Sequence, residues 1–281
     1  MLYLSNGIIS AEISELGAEL KSLKKDGFEY IWCGDARVWG NTAPVLFPIL
    51  CALKDGKYIL DGKTYEMTKH GFVRDKEFTV ESMSDTSVTL FCRDNEATLK
   101  VYPFSFEFRV IFTLIDNSLK VEYKVNNKND REMYFSVGAH EAYATPEGIE
   151  DYDIIFPNKE DLETVLLAGG LLQNSTRTIG KNTEYLPLYD KYFMLDTLIF
   201  RNLRSRELIL KNRKTDRAVR VEFPNCDYLA FWHKPSAGYI CIEPWSGLPD
   251  RADTDQDIKT KEGIITLAPR SEYSNIHTIT I

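Results

Sequence analysis

Residues 104–114 read FSFEFRVIFTL, and residues 118–125, beyond Ile115 and the pair Asp116-Asn117, read SLKVEYKV. Phe104, Phe106, Phe108, Val110, Phe112 and Leu114 recur at every second position, which in an extended chain puts them on one face; Glu107 and Arg109 project from the other. Leu119, Val121, Tyr123 and Val125 repeat the pattern, so the two runs read as a hairpin that turns at Asp116-Asn117. Outward from it, KYIL and KTYEM flank Asp61-Gly62, and FTVESM and SVTLFC flank Ser84–Thr86, giving two more hairpins. Strands are expected at 132–139, 151–156, 207–211, 218–223, 227–232, 238–242, 263–267 and 273–281. Helix signals are thin: NEATLKV at 95–101 reads as one short helix, with Asn95 as its cap and Pro103 ending it. The acidic run DRADTDQDIKTKEG has no periodicity and reads as a surface loop or short helical turn, and Gly169-Gly170 carries no signal of its own. No linker divides the chain. The expectation is an all-β fold, one large antiparallel β-sandwich domain over residues 1–281, with less than about a fifth of its residues helical.

The 281 residues are 43% apolar and 27% charged, which excludes a largely disordered chain. Lys and Arg number 34 against 42 Asp and Glu, a formal charge of −8, so a phosphate backbone is repelled and nucleic acid is not an expected partner. No stretch approaches the ~20 apolar residues of a membrane helix. The N-terminus, MLYLSNGIISAEI, lacks a basic leader region and alternates like a strand, which points to the cytoplasm. Cys33, Cys51, Cys92, Cys226 and Cys241 are odd in number, lack a CxxC and mostly lie in apolar runs; they read as buried free thiols in a reducing compartment. His70, His140, His233 and His277 show no metal-ligand spacing, so no metal is expected. Nucleophile-elbow, P-loop and dinucleotide-binding patterns are absent.

Three segments set ionisable groups among Gly, Pro and aromatic residues: KHGFVRDKEF, YFSVGAHEAYATPEG and YICIEPWSG. Glu243 ends the apolar run GYICI, where a carboxylate is costly unless paired or used, and Pro244 is expected to stop the strand and present it at a sheet rim. Trp245 reads either as a stacking platform for a sugar ring or as a core tryptophan. His140 follows the strand YFSVGA, and an imidazole there suits a general acid or a buried, satisfied histidine. If 70–74 is extended, His70 and Arg74 point to one face and can bond ligand hydroxyls; otherwise the segment is a surface loop. Asp196, inside YFMLDTLIF, is a hydroxyl acceptor or a turn former. His233, before a Pro-containing turn, reads as exposed, and His277 as structural.

HGFVR at 70–74, GAHEAY at 138–143, LDTLIF at 195–200 and IEPWSG at 242–247 together resemble the aldose 1-epimerase (galactose mutarotase-like) family, and its LacX-like branch most. APVLFPI at 43–49 and NGIISAEISELGAELKSL at 6–23 carry the same likeness. The resemblance implies a β-supersandwich that interconverts the α and β anomers of a free aldose without a cofactor. By motif, Glu243 resembles the family's general base, His140 its general acid, and His70 the second histidine that holds substrate near the ring oxygen. Arg74, Asp196 and Trp245 resemble hydroxyl-binding positions. Two departures stand out. FPILCAL at 47–53 replaces an expected FPI-x-G-R-L, with Cys51 and Ala52 at the Gly and Arg positions; Asn41-Thr42 precedes APVLFP where an Arg-bearing segment is expected.

This chemistry accounts for the residue types: one base removes the anomeric proton while one acid protonates the ring oxygen, at about 10²–10⁴-fold per proton-transfer partner. The expected partner is therefore a small-molecule hexose, with the protein a monomer or homodimer. His70, His140 and Glu243 must then converge within about 12 Å of one another. Three other readings remain: a sugar-binding protein without turnover; a glycoside hydrolase or lyase, of which a hydrolase would use Asp196 with Glu243, two carboxylates that must flank the bond at about 5–10 Å; and a purely structural β domain. A mutarotase of hexose 6-phosphates is a further alternative. With Arg74 the one cation placed near the cleft, an unphosphorylated sugar is expected to be preferred.

Overall fold

The computed structural model describes residues 1–281. Strands hold 52% of the chain and helix 6%, in antiparallel sheets forming a β-sandwich. The largest sheet runs, strand beside strand, in the order Val137–Gly138, Tyr239–Ser246, Tyr228–Trp232, Leu198–Phe200, Tyr152–Ala168, Glu207–Asn212, Ala218–Glu222, Glu272–Thr280, Ser118–Asn127, Phe106–Ile115, Ser87–Arg93, Thr79–Met83. A four-stranded sheet, Leu2–Ser5, Ile9–Ile13, Leu20–Lys25 and Phe28–Glu29, forms the N-terminal part.

The hairpin of 106–127 is in place, with Phe108 opposite Val125 and Leu114 opposite Leu119. Its even positions from Phe106 to Leu114 are buried, while Glu107 and Arg109 lie on the outer face. Phe47 packs into this face, stacked on Phe108 with centroids 4.8 Å apart, and touches Phe72, Tyr102, Phe106 and Phe135. Burying each aromatic side chain contributes about 1.5–3 kcal/mol, and that attraction seats the 43–53 segment against the sheet. The hairpins at Asp61-Gly62 and Ser84–Thr86 form as expected. So does the helix Glu96–Val101, where Asn95 accepts the amides of Ala97 and Thr98 and Thr98 answers with a reciprocal bond.

Several features differ from the sequence reading. The strand expected at 151–156 is the start of a ribbon, Tyr152–Ala168 paired with Leu171–Pro187, whose turn is Gly169-Gly170 at φ +60° and +78°. Between buried Leu172 and Leu186, the second strand reads QNSTRTIGKNTE; apart from Ile179 this stretch is polar or glycine on both faces, and it shows no alternation. Residues 250–263 are loop, but not surface throughout: Asp250 and Lys261 are buried together at 3.0 Å, and Lys261 Nζ also donates to the Leu248 carbonyl. All five cysteines are free, and Cys33 is exposed rather than buried.

The strand 239–246 positions the site. Every residue in it is buried, and it runs straight through Pro244, which pairs with Leu229; Glu243 therefore sits in the body of a central strand, not at a rim. Pro244 has no N–H to give, but its carbonyl accepts the amide of Ala139. Across from it, Gly138 pairs with Trp245 and Glu141 with Ile242. The two intervening residues, Ala139 and His140, interrupt the neighbouring strand while keeping its register.

Candidate active site

That register sets His140 directly opposite Glu243, since the pairs on either side, Gly138 with Trp245 and Glu141 with Ile242, share one alignment. Opposed residues on one face of an antiparallel pair bring their side chains into contact. Here His140 Nε2 lies 3.5 Å from Glu243 Oε2, with the two residues 8% and 1% exposed. Neither Glu243 oxygen has a hydrogen-bond partner, nor does His140 Nδ1. Unpaired polar atoms at such depth cost stability unless something else binds there.

His70 arrives from another part of the chain. Residues 70–74 are not extended: His70 has φ +67°, Gly71 φ +73°, and Val73–Asp75 is a single 3₁₀ turn. A Cβ on Gly71 would stand 2.1 Å from the Phe47 carbonyl oxygen, so only glycine fits. The turn is fastened to Cys51, whose carbonyl accepts the His70 amide and whose amide donates to His70 Nδ1 at 3.1 Å. With Nδ1 engaged as an acceptor, the neutral ring carries its proton on Nε2 and can donate it to a ligand. The His70 and His140 rings meet edge to face, centroids 5.6 Å apart.

These three line one cleft of about 250 Å³ together with Trp39, Asn41, Pro44, Cys51, Lys69, Arg74, Thr197, Trp232 and Trp245. Larger hollows, one of about 750 Å³ beside the 152–187 ribbon among them, hold none of these groups. Burial dominates the electrostatics. It holds the Glu243 carboxyl well above the usual carboxylate range, with the Glu141 charge adding to the effect. Burial likewise pushes His140 down to about 3 and His70 well below the usual histidine range; Lys69 and Arg74 push both further the same way. The Cys51 thiol is raised to about 12, so it stays protonated.

The remaining sequence candidates divide. Arg74 lines the cleft, its Nε 3.8 Å from Asp75. Asp196 does not: its Oδ1 accepts the amide and hydroxyl of Thr197, and Thr197 takes the lining position. Trp245 forms the floor, fully buried, with its indole N–H given to the Ala139 carbonyl at 3.2 Å. It packs in the core against Leu46, Leu50 and Leu248 and meets the cleft from beneath. His233, read as exposed, is buried; its ring nitrogens contact the Tyr239 carbonyl at 2.6 Å and Asp190 at 2.8 Å. His277 is structural, bonded to Glu141 at 2.9 Å. Sequence reasoning missed Trp39, Trp232 and Lys69. Lys69 stands beside His70 and was legible; Trp39 lies in a loop without a pattern to mark it. One donor set approaches metal-site composition: atoms of His140, Cys241 and Glu243 lie within 4.8 Å of one another.

The arrangement can exchange protons between two neighbouring oxygens of a ligand while a third group donates a hydrogen bond. Comparisons with known proteins place the chain in a family. A family model described as aldose 1-epimerase matches residues 1–266. Protein LacX of Lactococcus lactis subsp. lactis is 32% identical, the match covering 99% of this chain and 98% of that protein. Among solved structures, a galactose mutarotase related enzyme from Lactobacillus acidophilus superposes with TM-score 0.95 at 34% identity, covering 99% of this chain and 96% of that one. A galactose mutarotase-like protein from Lactobacillus casei gives 0.94 at 32% identity, covering 100% and 99%.

Proposed function

The chain belongs to the aldose 1-epimerase family, and on that premise we propose that it interconverts the α and β anomers of a free hexose by acid–base opening of the ring. The observation that carries the reading is the unpartnered Glu243 carboxyl 3.5 Å from His140 Nε2 on the floor of the cleft. Glu243 takes the proton of the anomeric hydroxyl. His140 gives its proton to the ring oxygen. The C1–O5 bond breaks as the C1 carbonyl forms, C1 turns about its bond to C2, and the same steps reverse on the other face.

Both oxygens belong to one carbon, so one closely spaced acid–base pair can serve both transfers. The pair begins as carboxylate and imidazolium and ends as carboxylic acid and imidazole, with the same number of protons. Burial raises Glu243 and lowers His140, so it favours the second arrangement in the free cleft as well; the starting pair relies on the sugar's hydroxyl and ring oxygen and on its own 3.5 Å contact to offset that cost. His70 offers its Nε2–H to a sugar oxygen, and Arg74 and Thr197 are placed to bond hydroxyls. Asp196, turned onto Thr197, leaves Glu243 without a second carboxylate in the cleft lining, which disfavours glycoside hydrolysis.

The test is NMR exchange between anomers of glucose and galactose. Acceleration over the spontaneous rate is expected, and Glu243→Gln and His140→Asn should each lower kcat by at least about 10²-fold. Binding of either sugar without faster exchange would mark a sugar-binding protein and discard the enzymatic reading; near-normal turnover in either variant would discard the assigned roles.

A further inference from the structure

His140 is enclosed by aromatic rings. Trp39 lies nearly flat on its imidazole, centroids 5.2 Å apart at 28°, and Trp232 meets it edge-on at 5.8 Å. Trp39 also stacks on Tyr239 at 5.4 Å and packs edge-on against Trp232 at 5.3 Å. Its loop is fixed at several points. The Trp39 amide donates to the Asp35 carbonyl, the Trp32 indole N–H donates to the Trp39 carbonyl at 2.9 Å, and Lys234 Nζ donates to the Val38 carbonyl at 2.8 Å. Trp39 is half-buried and lines the cleft.

His140 Nδ1 has no hydrogen-bond partner on another residue to hold the ring's orientation. Its own backbone group is the one hydrogen-bonding neighbour that favours its charged form, and burial outweighs it. The π face of an indole attracts a cation laid over it, tryptophan more strongly than phenylalanine, and an aliphatic side chain does so hardly at all. We propose that Trp39 is a positioning residue for His140: it fixes the ring toward Glu243 and stabilises the imidazolium across its π face. This rests on the acid role given to His140 above. The groups that face His140 from the surrounding elements are Glu243 and Cys241 of the strand 239–246, and His70, Lys69 and Arg74 of the 69–74 turn. Of these, Glu243 alone is an acid placed to favour the charged ring, and Lys69 and Arg74 oppose it. Trp39 adds to the side of Glu243.

The experiment compares Trp39→Phe and Trp39→Leu with the parent protein in anomer exchange across pH. A general acid must be protonated, so its activity is lost as pH rises through its value in the complex. Weakening the imidazolium moves that alkaline limb to lower pH. The expected order is parent, then Phe, then Leu, with kcat for Trp39→Leu lower by about tenfold and KM changed much less. A fall in KM-governed affinity with an unmoved pH limb would overturn the proposal and make Trp39 a sugar contact only. Equal loss in Phe and Leu would also overturn it. Imidazole NMR of His140, followed by pH titration in all three proteins without sugar, gives a readout independent of turnover. If the parent protein turned over no hexose, the functional reading would fail while this titration still showed whether Trp39 favours the charged ring. An unchanged titration across the three folded proteins would overturn the proposal whatever the activity.

Discussion

Glu243 is a carboxyl 1% exposed with neither oxygen bonded, a costly group to bury. Its folded value lies above its unfolded one, so the stability it contributes is fully present below the ordinary carboxylate range and lost as pH rises through the folded value. His140, with its value depressed, behaves oppositely: its contribution is present above the ordinary histidine range and lost as pH falls. A glutamine side chain in place of Glu243 would have no charge to bury. Glu243→Gln should therefore unfold at a temperature no lower than the parent at neutral pH, with an advantage that grows as pH rises through the alkaline range, while the acid limb set by His140 stays in place. Melting curves over that range check it; a variant that loses stability in parallel with the parent at alkaline pH would contradict the assignment. At this scale the sequence marked Glu243, His140 and His70 by their Gly, Pro and aromatic neighbours. It could not separate Trp245 from Trp39, because composition does not say which ring faces the opening.

The strands explain how these residues meet. Alternation made the 106–127 hairpin legible because one face is buried and the other wet. It failed for 171–187, where most positions are exposed or half-buried and pairing with the first arm of the ribbon does the work of a core. It failed again at Pro244, where a missing N–H was expected to end the strand. The ladder continues there because the opposing strand is interrupted at 139–140. Gly138 marks the edge of that interruption. A Cβ there would stand 2.5 Å from Trp245 Cδ1 and 3.0 Å from Leu50 Cδ2, both in the core. Gly138→Ala should cost about 1–3 kcal/mol in denaturant unfolding and lower activity as well, because Trp245 is the residue across the ladder and the floor of the cleft. Activity lost with no change in stability would mean that the ring yields without strain.

For the molecule as a whole, 42 acidic against 34 basic residues give a field that opposes anions at long range. The cleft departs from this average: Lys69 joins Arg74 in its lining, and Glu243 is the one acidic residue there. Sequence alone placed a single cation, and the preference for an unphosphorylated sugar rests on that and on the net charge. Glucose is expected to show a higher kcat/KM than glucose 6-phosphate. A phosphate preference above about tenfold, worth roughly 1.4 kcal/mol, would assign Lys69 and Arg74 to the phosphate instead.

The placement of His140 and Glu243 across one ladder also bears on descent. A single-residue insertion in either strand would turn one partner to the far side of the sheet. Lineages that keep the reaction must keep the lengths of 137–144 and 239–246. The loop at 193–197, which brings Thr197 to the opening, lies outside that pairing and carries no such constraint. On the proposed mechanism, novelty in the sugar accepted can thus accumulate at the opening, while the proton transfer beneath passes unaltered from one generation of proteins to the next.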